Sequence, residues 1–132
     1  MARYVIEPQV AIALAAAQAV VAPRHRLLAP TLLRSQVLAL LFAEVQGGRI
    51  TRQEAERRLD HLRSLRIRLL GDRVLQRVAW QTALALGWQD TFTAEYVALA
   101  KLQADALVTD APALAQAVRR LVPVASVAEL LA

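Results

Sequence analysis

Two carboxylates in this 132-residue chain stand where short apolar runs end: Tyr4, Val5 and Ile6 lead into Glu7, and Ala106 to Thr109 lead into Asp110. If the runs are neighbouring parallel strands, both acids reach one crevice beyond the carboxyl ends of the sheet, where open α/β sheets bind ligands. Two close carboxylates in a basic protein suit a hard divalent cation, which takes oxygen ligands and often only one or two from protein. Each acid also precedes a helix-like segment, so the same residues fit a plain role as helix caps or N-terminal charges. Spacing alone leaves both readings open. Other reactive groups are poorly placed: His25 and His61 have no paired spacing and are expected to be solvated. Ser35, Ser64 and Ser126 lack a nucleophile-elbow context. Gly47 and Gly48 read as a turn, because nothing around them completes a phosphate-cradling loop.

The segments that must position these groups alternate between strand and helix patterns. Arg3 to Ile6 reads as a strand, and Pro8 opens a helix with Val10, Leu14, Ala17 and Val21 at helical spacing. A loop is expected over 22–26. Pro30 and Thr31 then open a second helix, with Leu33, Val37, Leu40, Leu41 and Val45 on its apolar stripe. Thr51 and Glu54 form a capping-box signature for a third, whose Ala55, Leu59 and Leu62 share a face. Ile67 to Leu70 reads as a strand. A fourth helix over Arg73 to Leu86 is expected to bury Val74, Val78, Ala85 and Trp80, with Gly87 closing it. Asp90 caps a fifth helix from Thr91 to Gln103, and Ala106 to Thr109 follows as a buried parallel strand. A helix over Pro112 to Arg120, a strand over Val122 to Val124 and a terminal turn complete the pattern. Strands alternating with helices predict one α/β domain over residues 1–132, with a central parallel sheet flanked by helices.

Composition narrows the function classes. The chain is 57% hydrophobic and 20% charged, which excludes a disordered or low-complexity protein. It has no cysteine, so disulfides, thiolate metal sites and cysteine nucleophiles are excluded. The stretch from Pro8 to Pro23 is too short and too interrupted for a spanning helix, and Glu7 and Pro8 break any signal-peptide core. A cytoplasmic protein with no membrane partner is therefore expected. The net charge is +5, and nine arginines lie between Arg49 and Arg77. That density suits phosphate backbones or an acidic protein partner, and equally a solvated helical hairpin. Trp80 and Trp88 are expected in the core, since few other aromatics are present to fill it.

Four segments together carry a family resemblance. Residues 93–110 (TAEYVALAKLQADALVTD) resemble the C-terminal half of PIN domains, particularly VapC-type toxins. The opening YVIEPQVA looks like that family's first strand and turn, and 29–37 (APTLLRSQV) like its second helix. Residues 48–56 (GRITRQEAE) are similar to its turn into the next helix. The likeness spans nearly the whole chain in matching order. It implies a PIN-like α/β sandwich and a Mg2+- or Mn2+-dependent ribonuclease site built from four acids. It also implies a homodimer and an antitoxin-like protein partner, with RNA as substrate or ligand.

Most of those acids are missing. The first family position, usually Asp, is Glu7; the second, usually Glu, is Gln36; the third, usually Asp, is Thr93. The fourth, usually Asp, is Ala111, with Asp110 one residue early, and Gln9 replaces a small polar residue near the first acid. Asp90, one helical turn before Thr93, is a possible substitute ligand, whereas Glu95 lies off that helix face. The resemblance therefore implies a degenerate site with Glu7, Asp110 and Asp90 as candidate metal ligands and Glu7 and Asp110 as candidate catalytic groups. Weak or absent nuclease activity, with a role in partner or RNA binding, is the first expectation. An active ribonuclease toxin with an altered site is the second.

Overall fold

The computed structural model describes residues 2–131. Five parallel strands form one sheet in the order β3-β2-β1-β4-β5, where β1 is Ala2–Ile6, β2 His25–Pro30, β3 Arg68–Leu70, β4 Ala106–Val108 and β5 Val124–Ala125. Helices flank it: α1 Pro8–Ala16, α2 Leu33–Gln46, α3 Arg52–Ser64, α4 Arg73–Leu86, α5 Phe92–Gln103, α6 Pro112–Val118 and α7 Val127–Leu131. This is the α/β sandwich expected from the sequence. A parallel sheet covered on both faces needs apolar runs rather than alternation. The inner strands meet that need: Val5, Ile6, Leu107 and Val108 are all fully buried. Among the described residues no helix is long and apolar enough to cross a membrane.

Several element boundaries differ from the sequence pattern, each for a local reason. Helix α1 stops at Ala16 because Gln18 adopts a left-handed conformation (φ 49°), so Ala17 and Val21 lie beyond it. Residues 25 and 26, expected in a loop, begin β2, and Pro30 ends that strand instead of opening a helix. The polar opening His25-Arg26 hid a strand whose remaining residues, Leu27 to Pro30, are all buried. The last strand is Val124–Ala125 rather than Val122 to Val124, and α6 stops at Val118.

The largest correction concerns α4. Its buried face is Leu75, Ala79, Thr82 and Ala83, set against α5, while Val74, Ala85 and Trp80 are exposed. Apolar residues lie on both sides of this helix, so periodicity admitted two stripes, and packing selected the one with smaller side chains. Trp80 is 66% exposed and is not core; Trp88 packs partly buried against it.

Candidate metal centre at the sheet switch point

Strands β1, β2 and β3 run outward on one side of the sheet, and β4 and β5 on the other. The order therefore reverses between β1 and β4, and the crevice beyond their carboxyl ends is the usual ligand position in such sheets. Ile6 pairs with Val108, which brings Glu7 and Asp110 to that crevice from adjacent strands. The neighbourhood is electrostatically real: burial raises the Glu7 carboxyl above its ordinary pKa, the N–H groups of Val10 and Gln9 pull it back, and the like charge of Asp110 raises it further.

Each candidate donor has a structural occupation. Glu7 is the N-cap of α1, its Oε1 accepting the Val10 N–H at 2.7 Å. Asp110 does not cap α6; its Oδ1 accepts the Val127 N–H at 3.2 Å, tying the crevice edge to the start of α7. Gln36 Oε1 accepts the Tyr96 hydroxyl at 2.5 Å, and that tyrosine is buried at the heart of α5. Burial, then Glu95 and Glu7, hold the Tyr96 phenol well above the usual tyrosine range. It therefore stays a protonated donor to Gln36. The Thr109 hydroxyl accepts the Ala111 N–H at 3.1 Å, which braces the turn after β4.

The remaining candidates stand apart. Asp90 Oδ1 accepts the Phe92 N–H at 3.1 Å at the entry to α5. With Thr93 it lines a hollow of about 400 Å3 against Ala113, Leu114 and Ala117 of α6, and neither Glu7 nor Asp110 lines it. Glu95 is a residue that helix spacing discounted, yet burial raises its carboxyl and it acts on Tyr96 together with Glu7. Its position one residue before a buried tyrosine is the only signal in the sequence that could have drawn it in.

This donor set does not fit a hard divalent cation. One oxygen of Glu7 and one of Asp110 accept backbone N–H groups, and the Gln36 oxygen accepts a hydroxyl. Among the described residues no cluster of three or more His, Cys, Asp or Glu is placed to hold a metal ion. Such ions can take only one or two protein carboxylates, but those must be free to coordinate, and here both are committed to backbone N–H groups.

The histidines also differ from expectation. Neither is freely solvated: His61 Nε2 lies 2.9 Å from the Ala19 carbonyl, and both ring nitrogens of His25 are shut off from solvent without a partner. The arginine-rich middle is partly self-neutralised. Glu54 binds Arg57 at 2.6 Å and Arg58 at 2.8 Å, which draws its carboxyl down to about 2, and Asp60 binds Arg63 at 2.5 Å.

No protein-family model and no curated protein sequence matches the chain. Among solved structures it is similar to the crystal structure of PAE2754 from Pyrobaculum aerophilum, with a TM-score of 0.74 and 22% identity over 98% of this chain and 93% of that chain. At that identity the likeness shows the fold alone, the α/β sandwich built on a central parallel sheet.

Proposed function

We propose that this chain is a PIN-type domain of the VapC-toxin kind whose metal centre has lapsed, and that it acts by binding a partner rather than by hydrolysing RNA. One observation carries the reading: of the residues that the resemblance assigns to the metal site, Glu7, Gln36 and Asp110 are engaged by the fold itself, while Thr93 and Ala111 bring no charge. Phosphodiester hydrolysis by metal-activated water needs a firmly held ion, and this crevice offers two carboxylates with divided duties.

The binding surface that suits an antitoxin-like chain lies between α2 and α3. Leu33, Val37, Leu59, Leu62 and Leu69 line a groove of about 400 Å3, rimmed by Arg34, Arg63 and Arg66. Such a groove fits the apolar face of an amphipathic helix whose flanks are acidic. In this reading the protein is cytoplasmic and homodimeric.

A second reading, a Mg2+- or Mn2+-dependent ribonuclease with an altered site, draws on the like-charge coupling of Glu7 and Asp110. A cleavage assay with structured and single-stranded RNA in Mg2+ and in Mn2+ separates the two. The binding reading expects no more than marginal cleavage, with no difference between the native chain and Glu7→Ala. Robust cleavage that Glu7→Ala abolishes would overturn it.

A further inference from the structure

At the opposite edge of the sheet, where the strands begin, lies a cavity of about 690 Å3. Its wall includes Arg3 of β1, Arg26 of β2, Arg68 of β3 and Arg66 just before β3, with no Asp or Glu in the lining. None of these four arginines takes part in an ion pair among the described residues, whereas five arginines elsewhere do. Asp105 accepts the backbone N–H of Arg3 at 2.7 Å and is not part of the wall.

The register sets these exposed cations side by side. Arg3 pairs directly with Arg26 across β1 and β2, and Arg68 pairs with Leu28 two residues further along. Like charges directly opposite on paired strands destabilise a sheet. Arg66 adds a second cost, since it holds a left-handed backbone (φ 52°) that side-chain-bearing residues rarely adopt. His25, also in the wall, keeps both ring nitrogens without a hydrogen-bond partner. Strain, like charge and unsatisfied polar groups gathered in one cavity are features that cluster at ligand sites.

We propose that this cavity binds a small oligophosphate ester. The guanidinium groups of Arg3, Arg26, Arg66 and Arg68 hold the phosphates, for which their planar forks are matched. Val20, Val21, Leu27 and Leu65 take the uncharged body of the ligand. The volume lies within the usual range for small-molecule sites. The site is distant from the switch-point crevice and stands whether or not the chain hydrolyses RNA.

The test is calorimetric titration of the full chain with ATP and with inorganic tripolyphosphate, without divalent metal and at low ionic strength. Saturable one-to-one binding of ATP, displaced by tripolyphosphate, is expected. Arg26→Gln should weaken it at least about tenfold, the loss of one charge-assisted contact. Arg66→Gly should weaken it similarly while leaving the thermal midpoint unchanged or higher, which separates lost binding from lost folding. Arg77→Gln, on α4 and outside the cavity, should change nothing. Absence of saturable binding, or an equal effect of Arg77→Gln, overturns the proposal. So does displacement of ATP by an RNA oligomer lacking terminal phosphates, because the cavity would then read a nucleic-acid backbone.

Discussion

Two glutamates show how the same side chain answers to opposite surroundings. Glu7 is half-buried at the head of α1, and desolvation outweighs the two N–H groups that stabilise its charge, so its pKa rises above 4.5. A raised carboxyl pKa means that the folded state holds the proton more tightly than the unfolded chain. Glu7 therefore makes stability fall as pH rises from 4.5 through its folded value. Glu54, held by Arg57 and Arg58, is drawn down to about 2, so its contribution is full above 4.5 and is lost as pH falls from 4.5 toward 2. Urea unfolding across the acid range should show both slopes. Glu7→Gln should flatten the decline above pH 4.5, and Glu54→Gln the loss below it. At this scale the sequence already placed the acids and their caps. It gave no sign that Gln36 answers to Tyr96, sixty residues away, since only folding brings α2 against α5.

Helix ends carry the element-scale costs. Gly87 closes α4 in the left-handed conformation (φ 68°) that its missing Cβ permits. At the end of α3 the equivalent turn falls on Arg66, which has no such freedom. Arg66→Gly should accordingly stabilise the chain by about 0.5–1 kcal/mol, and Gly87→Ala should destabilise it by about 1 kcal/mol, both read from urea midpoints. Elements with strong local signals were legible: Thr51 does cap α3, accepting the Glu54 N–H at 3.0 Å, and α4 spans Arg73–Leu86 as its pattern predicted. The buried face of α4 was not legible, because an apolar residue on either side satisfies the same period. Strand β2 was missed for a related reason: its basic first residues belong to the cavity edge, and they broke the apolar run that marks a central strand.

The whole molecule distributes its +5 charge unevenly. Intrahelical pairs quench much of α3, while Arg3, Arg26, Arg66 and Arg68 form no ion pair among the described residues. With a net charge of +5, any affinity for RNA should come mainly from phosphate contacts and fall steeply with added salt, with a log–log slope that counts the phosphates neutralised. Filter binding or anisotropy over a salt series measures it, and salt-insensitive binding would contradict a backbone-electrostatic mode. The exposed apolar residues are also unevenly placed: Leu38 and Phe42 lie one turn apart on α2, and Trp80 and Leu84 one turn apart on α4.

The amino-acid sequence by itself determined the layered α/β plan, since alternating strand and helix periods with few turn residues admit little else, and it placed an acid after β1 and another beside the end of β4. It also determined that Gln36, Thr93 and Ala111, the positions that the PIN resemblance assigns to metal ligands, carry no charge, which no packing can add. Only the tertiary structure decided which residues meet. Parallel pairing of β1 with β4 sets Glu7 toward Asp110, and pairing of β1 with β2 sets Arg3 beside Arg26. Those partners are joined by contacts between residues far apart in the chain, which local spacing does not encode. The carboxylate crevice could be inferred from strand endings; the basic cavity at the other edge became visible only once the strand beginnings were aligned.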